Sequence, residues 1–163
     1  TGVQTCALPI SRYLSLEITE KALLENADVV HPKLSQLKAL EVCLSLDDFG
    51  TGYSSLSYLH RFTVNSIKID RTLIAKIPSD VASATLRDVA SATLRERPIL
   101  EIVRTIVQLA RSLNMKAIAE GVETEEQLAT LKEIGCELGQ GYFFYKPLSA
   151  EEVERQILNP SQF

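Results

Sequence analysis

The chain has 163 residues, of which 45% are apolar and 23% are charged, and this composition is typical of one globular domain with a hydrophobic core. Its net charge of −4 argues against a basic surface for DNA, RNA or membranes, although bound cations can still balance a nucleotide substrate. No apolar run reaches the length of a membrane span, and no signal-peptide pattern is present. We therefore expect a cytoplasmic domain, with any membrane anchor in domains upstream.

The cysteines and histidines carry no metal-binding motif. Cys6, Cys43 and Cys136 lack the spacing of a zinc site or a disulfide framework, so we predict free thiols that are mostly buried. His31 and His60 are isolated in the sequence, which favours solvated or capping roles over metal ligation.

Two segments depart from the pattern of the rest. Residues 1–11, TGVQTCALPIS, have no periodicity and resemble a translated sequencing adapter. We predict that this segment is non-native, an ordinary N-terminal loop being the alternative, and that residues 12–163 form the domain. The octad DVASATLR occurs at 80–87 and again at 88–95. This tandem duplication over 80–95 favours added helical turns at the surface over a solenoid, because two short copies cannot build a core.

From Arg12 onward, strand-like alternation and helix-like periodicity follow one another. Pro98 suits the first turn of one helix, and Thr124 with Gln127 forms a capping-box pattern at the start of the next. In chain order, the predicted elements are a strand over 13–19, a helix over 33–40, a strand over 42–47, a helix over 54–62, a strand over 66–70, a helix over 98–113, a strand over 116–122, a helix over 124–135 and a weaker strand over 137–144.

Strands that alternate with helices predict an α/β fold with a parallel sheet. In the first three strands one face is apolar and the other is polar, ending in Glu17, Asp47 and Lys68. A barrel with functional groups at the carboxyl ends of its strands explains this, whereas a doubly wound sheet usually buries apolar residues on both faces. Five strands rather than eight indicate a smaller fold, or a barrel whose first strands lie upstream.

Acidic residues at strand ends predict a site for hard divalent cations such as Mg²⁺ or Mn²⁺. Two such ions can clamp the attacking and leaving oxygens of a phosphoryl group, and a lysine can orient the nucleophilic water. Taken singly, each acid can equally be a helix cap or a surface ion pair, and Gly50 and Gly52 can simply adopt positive φ. The set consists of Glu17, Asp47, Asp48, Glu120 and Glu123, together with Lys68 and Gln140.

Five motifs occur in the order of the EAL-domain family, which the chain resembles from Arg12 to its C-terminus. They are LEITE (16–20), DDFGTGYSSLSYL (47–59), IKID (67–70), AEGVET (119–124) and QGYFFYKPL (140–148). Members of that family are bacterial cyclic di-GMP phosphodiesterases with a TIM-barrel-like fold. The resemblance therefore implies a barrel, cyclic di-GMP as the substrate and a pair of Mg²⁺ or Mn²⁺ ions as the cofactor.

The resemblance also implies a role for each matching residue. By position, Glu17, Asp47 and Asp48 correspond to metal ligands. Lys68 corresponds to the lysine that orients the catalytic water, and Glu120 to the proposed general base. Glu20, Glu123 and Gln140 correspond to supporting residues, of which Glu20 braces the loop after the paired aspartates. That loop, which couples substrate binding to dimerisation in the family, comprises Phe49, Gly50, Thr51, Gly52, Tyr53, Ser54 and Ser55.

The sequence departs from the family pattern in four places. The Glu-Ala-Leu motif and an Asn-containing strand motif, which supply further metal ligands, are absent and would lie upstream of Arg12. The stretch between Lys68 and Glu120 is longer than in the family by about the length of both octads. Glu41 stands where glycine is common, so a modest perturbation of that turn is expected.

The resemblance leaves two activities open for the intact protein. The favoured one is metal-dependent hydrolysis of cyclic di-GMP to linear diguanylate by a homodimer; the alternative is a catalytically inactive module that binds cyclic di-GMP or a protein partner. The presence or absence of the upstream ligands discriminates between them. Without the first strands a barrel cannot close, so we expect this polypeptide alone to be poorly stable and inactive.

Overall fold

The computed structural model of the chain describes residues 8–25, 27–50, 59, 64–77 and 97–158. The predicted helix over 54–62 (apart from Leu59), the duplicated octads, Cys6 and His60 lie outside these residues. In chain order, the elements are α1 (Leu8–Ser11), β1 (Ser15–Thr19), α2 (Glu20–Glu25), α3 (Ala27–Ala39), β2 (Cys43–Phe49), β3 (Ser66–Ile69), α4 (Arg71–Ile74), α5 (Arg97–Ser112), β4 (Lys116–Glu120), α6 (Glu125–Glu133), β5 (Leu138–Gln140) and α7 (Ala150–Leu158).

The five strands of the described residues form one parallel sheet in the order β1-β2-β3-β4-β5. The prediction of a parallel α/β sheet is confirmed. A doubly wound sheet reverses its strand order at a switch point, whereas strands of a barrel follow one another in sequence. The sequential order therefore agrees with the predicted barrel topology rather than with its rival.

The core lies between the sheet and the helices on one of its faces. Leu46 of β2 and Ile67 and Ile69 of β3 are fully buried there, as the alternation predicted. The amphipathic helix α5 covers them with Val103 and Val107. Each fully buried aliphatic side chain of this kind contributes about 1.5–3 kcal/mol through the removal of apolar surface from water.

The outer face of β1 is less well covered than that of β2 and β3. Leu14 and Leu16 carry the predicted apolar alternation, but their exposed fractions are 47% and 37%. In the part of the chain that the structure describes, β1 pairs with β2 alone and forms an edge of the sheet. Its apolar face therefore lacks the helix cover that α5 gives to the strands beyond it.

Two local features correct or extend the predicted elements. Helix α3 begins at Ala27 and contains Pro32, so it starts earlier than the predicted range of 33–40. Helix α7 was not predicted, although it has a capping box: Ser149 Oγ accepts a hydrogen bond from Glu152 N at 3.3 Å, and Glu152 Oε2 accepts one from Ser149 N at 2.8 Å.

Glu41 adopts a left-handed backbone conformation, with a φ of 61°. It lies between the end of α3 and the start of β2, where the chain reverses to enter the sheet. Glycine adopts this conformation without the steric cost that a Cβ atom adds. This explains why a glutamate is unfavourable at this turn, as the sequence had indicated.

Candidate active site

Four predicted site residues meet at the carboxyl edge of the sheet. Lys68 extends its ammonium group from β3, and three carboxylates from neighbouring strands surround it. Lys68 Nζ lies 2.7 Å from Glu120 Oε1 of β4, 2.8 Å from Glu17 Oε1 of β1 and 3.2 Å from Asp47 Oδ1 of β2. Strand alternation places all four side chains on one face of the sheet. They are staggered along the strands: Glu17 lies two residues before Thr19, the register partner of Asp47, and Glu120 lies two residues after Ile118, the register partner of Lys68. The long side chain of Lys68 bridges this stagger.

The ammonium group of Lys68 is shielded from solvent, its side chain being 8% exposed. Burial alone would lower the pKa of Lys68, but the contacts of its ammonium group with the carboxylates of Glu120, Glu17 and Asp47 outweigh burial and raise the pKa well above its ordinary value of 10.5. The lysine is therefore a permanent cation at neutral pH. It holds together three carboxylates that would otherwise repel one another.

A β-bulge explains how β2 can carry two consecutive acids without breaking its apolar face. Leu46 pairs with Ile67, and Phe49 pairs with Ile69, so β2 uses one more residue than β3 over this stretch. Asp48 has a φ of 56° and is exposed. Because the extra residue resets the alternation, both Leu46 and Phe49 remain buried although they are three positions apart. The bulge thus allows Asp47 and Asp48 to be adjacent.

The residues around the loop after β2 are only partly described. Phe49 is buried and Gly50 has a φ of 96°, whereas Thr51, Gly52, Tyr53, Ser54 and Ser55 lie outside the described residues. Glu20, the first residue of α2, is buried, and its Oε2 has no hydrogen-bond partner among the described residues. The role of Glu20 in bracing that loop stays a prediction.

The segment after β4 is fixed by close backbone contacts. Val122 N donates to Gln140 O at 3.1 Å, and Phe143 N donates to Val122 O at 2.9 Å. A Cβ atom at Gly141 would lie 2.1 Å from Val122 O and 2.3 Å from Val122 N, so only glycine allows this approach. Gln140 therefore ends β5 beside Glu120, its register partner, although its side chain is exposed.

Glu123 lies further from the cluster than the other predicted acids. It is exposed in the loop between β4 and α6, and no contact joins its carboxylate to the ammonium of Lys68 among the described residues. Its backbone N instead donates to Gln127 Oε1 at 2.8 Å. The supporting role predicted for its side chain therefore stays a prediction.

The donor chemistry suits a hard divalent cation, but the described residues do not complete a site for one. Asp47 Oδ1 is buried and makes no aligned hydrogen bond; its contact with Lys68 is an ion pair. A carboxylate oxygen in this state can serve as a ligand of a divalent cation. Within the described ranges, no group of three Asp, Glu, His or Cys side chains is placed to hold a metal ion. Glu17, Asp47 and Asp48 would thus need additional ligands.

Two polar contacts near the site were not predicted from the sequence. Asp70, directly after β3, caps α4: its Oδ1 accepts from Thr72 N at 2.8 Å and also from the Thr72 hydroxyl. The Asp-x-Thr spacing was the available signal. Gln127 was identified as part of a capping box, and that box is confirmed, but its further contact with Ile74 could not be read from the sequence.

The sequential parallel sheet and the lysine–carboxylate cluster at its carboxyl edge define an α/β protein of the barrel type with a functional site where such folds place theirs. A model of the EAL domain matches residues 4–147. The chain belongs to the EAL domain family, as its motifs had indicated.

Several curated relatives carry names that concern cyclic di-GMP. The chain is 46% identical over 142 residues to the cyclic di-GMP phosphodiesterase NbdA of Pseudomonas aeruginosa, covering 87% of this chain and 16% of that protein. It is 41% identical over 141 residues to the bifunctional diguanylate cyclase/cyclic di-GMP phosphodiesterase MucR of the same species, covering 86% of this chain and 18% of that protein. The chain thus spans less than a fifth of these two relatives.

Solved structures share the fold. The PaMucR phosphodiesterase in complex with c-di-GMP has a TM-score of 0.73 at 38% identity, with 93% of this chain and 56% of that chain covered. A manganese and cyclic di-GMP complex of Klebsiella pneumoniae BlrP1 has a TM-score of 0.65 at 31% identity, with 82% and 30% covered. In this chain, no helix of the described residues is both long enough and apolar enough to cross a membrane.

Proposed function

We propose that this domain takes part in hydrolysing cyclic di-GMP to linear diguanylate with the aid of divalent cations. The observation that carries the proposal is the buried ammonium of Lys68, which contacts carboxylates from three adjacent strands. The names of the relatives supply the substrate, and the shared EAL fold supplies the reaction class.

The reaction needs a water oxygen to attack phosphorus while the bond from phosphorus to the ribose 3′ oxygen breaks. Lys68 can donate a hydrogen bond that orients the water and stabilises negative charge on the phosphoryl oxygens. Glu120 uses Oε1 to accept from Lys68, which leaves Oε2 to take the proton of the water. The ribose oxygen then leaves and acquires a proton from solvent.

Glu17, Asp47 and Asp48 would hold the cations, whose chemistry is to neutralise charge on the phosphoryl oxygens. We propose Mg²⁺ or Mn²⁺ as the pair of ions; a manganese complex and a calcium complex of BlrP1 support divalent cations in general. Glu20, Glu123 and Gln140 would support the site. A homodimer coupled through the loop from Phe49 to Ser55, and a cytoplasmic location, complete the proposal.

A binding module without turnover is the second candidate. It is favoured by the finding that, among the described residues, no three Asp, Glu, His or Cys side chains are placed to hold a metal ion. In that case Lys68 and its carboxylates would only position the ligand. The two candidates share every contact described above, so product formation separates them.

The test uses a chimera, because the chain covers 56% of the PaMucR phosphodiesterase chain. Residues 12–147 replace the matching segment of that domain, and a cooperative thermal melt confirms folding. Cyclic di-GMP is added with Mg²⁺ or Mn²⁺, and linear diguanylate is measured by chromatography before and after chelation with EDTA.

We expect metal-dependent product, and a loss of at least about 100-fold in turnover for Lys68→Met and for Glu120→Gln. Glu133→Gln, on the exposed side of α6, is the matched control for the second variant and should keep full turnover. Binding of cyclic di-GMP without product would favour the binding module. A folded chimera that neither binds nor hydrolyses cyclic di-GMP would contradict both candidates.

A further inference from the structure

The side-chain amide of Gln127 is buried at the start of α6 and uses both of its ends. Gln127 Oε1 accepts hydrogen bonds from Glu123 N at 2.8 Å and from Thr124 N at 3.2 Å. Its Nε2 donates to Ile74 O, the last residue of α4, at 3.3 Å. One side chain therefore joins the loop after β4 to the short helix after β3.

These two segments directly follow the strands that carry Lys68 and Glu120, the pair with the shortest contact in the site. The helix α4 follows β3, which carries Lys68, and the loop follows β4, which ends at Glu120. The segments also touch at Gly121, where an added Cβ would lie 2.7 Å from Arg71 Cβ. The strands that bring Lys68 and Glu120 within 2.7 Å of each other thus lead directly into the two segments that the side chain of Gln127 joins by hydrogen bonds.

We propose that Gln127 is a positioning residue, whose amide holds the loop after β4 against α4 and thereby keeps the carboxylate of Glu120 in place beside Lys68. The catalytic consequence rests on the proposed phosphodiesterase function. The structural consequence, the fixed geometry of the Lys68–Glu120 pair, does not depend on it.

A capping box alone does not require glutamine. Glutamate can equally accept hydrogen bonds from the backbone at the N-cap. An ionised carboxylate, however, has no hydrogen to donate to Ile74 O and would place a negative oxygen against that carbonyl. Gln127→Glu therefore keeps the cap and removes only the hydrogen bond to α4. Thr124→Ala does the reverse: it removes Thr124 Oγ1, which accepts a hydrogen bond from Gln127 N at 3.2 Å, and so weakens the cap but keeps the hydrogen bond to α4.

The first experiment measures the ammonium group of Lys68 directly in the full chain. In ¹⁵N-detected NMR at neutral pH, its hydrogens should exchange slowly with water because three carboxylates hold them. We expect Gln127→Glu to accelerate this exchange by roughly 10-fold or more as the contact with Glu120 loosens. Thr124→Ala and Glu133→Gln should leave it unchanged, even where Thr124→Ala lowers the melting temperature.

The second experiment measures kcat and KM in the chimera described above. Displacing a reacting group by a fraction of an ångström to 1 Å can cost up to about 100-fold in rate, so we expect kcat of Gln127→Glu to fall by roughly 10- to 100-fold with little change in KM. The ratio of the turnover of Gln127→Glu to that of the parent should rise as the pH is lowered, because the introduced carboxyl group, once protonated, can again donate a hydrogen bond to Ile74 O. Thr124→Ala should retain kcat.

The outcomes separate the two proposals. Unchanged ammonium exchange in Gln127→Glu, or an equal effect of Thr124→Ala on both exchange and kcat, would overturn the positioning role and assign Gln127 to helix stability alone. If the parent chimera shows no turnover while Gln127→Glu still loosens the ammonium of Lys68, the positioning role stands and the phosphodiesterase function fails.

Discussion

Replacing Lys68 by methionine is the most informative single perturbation of this chain. The change keeps an unbranched apolar stem of similar shape and removes the terminal ammonium group with its charge. Three carboxylates would then face one another without the ammonium that now lies 2.7 Å from Glu120, 2.8 Å from Glu17 and 3.2 Å from Asp47. We expect the folded state to be strongly destabilised.

The magnitude follows from the burial of each partner. The side chains of Glu120 and Asp47 are 18% and 22% exposed, and leaving a charge buried without its partner costs about 3–5 kcal/mol. The side chain of Glu17 is 49% exposed, so solvent screens its interaction, which contributes about 0–1 kcal/mol. Because Glu120 and Asp47 are only half-buried, we take the lower end of that range and expect Lys68→Met to lower the free energy of unfolding by about 3 kcal/mol.

The loss should depend on pH in a defined direction. The carboxylates raise the pKa of Lys68 above 10.5 in the folded state, so its stabilising effect is fully present below that pH and is lost only as the pH rises through the raised pKa. From pH 7 to about 10 the deficit of the variant should stay constant.

The measurement is equilibrium unfolding in urea, followed by circular dichroism, for the parent chain and the variant. Lys116→Met is the matched control, since Lys116 is exposed at the start of β4 and should change stability by no more than about 0.5 kcal/mol. A loss below about 1 kcal/mol for Lys68→Met, or a deficit that changes between pH 7 and about 10, would refute the view that the ammonium holds the carboxylates together.

Three further predictions concern the backbone and the thiols. Gly141→Ala should destabilise the chain by more than about 2 kcal/mol in the same urea assay, because its Cβ would overlap backbone atoms. Gly139→Ala should cost clearly less, because the nearest neighbours of its Cβ would be side-chain atoms, of Phe144 at 3.2 Å and of Val122 at 3.5 Å; equal losses would contradict this interpretation. Burial raises the pKa of the Cys136 thiol, so at pH 8 iodoacetamide should modify it far more slowly than the half-buried Cys43, as mass spectrometry can show. Glu41→Gly should stabilise the chain by roughly 1 kcal/mol by relieving a left-handed conformation, and a destabilised variant would indicate that the glutamate side chain contributes there.

Much of the fold and of the candidate site could be predicted from local sequence. The alternation in LSL (44–46) and SIKI (66–69) placed apolar side chains on one face and Lys68 on the other, because strand geometry fixes which residues share a face. The cap of α6 followed from Thr124 and Gln127, because a capping box depends on residues three apart in one turn. Membership of the EAL family likewise rested on short ordered motifs.

Contacts between distant segments had no such local signal. The 3.3 Å hydrogen bond from Gln127 to Ile74 joins residues 53 positions apart, and the requirement for glycine at position 141 arises from the backbone of Val122. The bulge that lets Asp47 and Asp48 be neighbours depends on the register between β2 and β3. Sequence by itself determined which residues carry charge and which face of each strand they occupy; the tertiary structure alone decided which of them meet, because register and loop packing fix distances that no local pattern encodes.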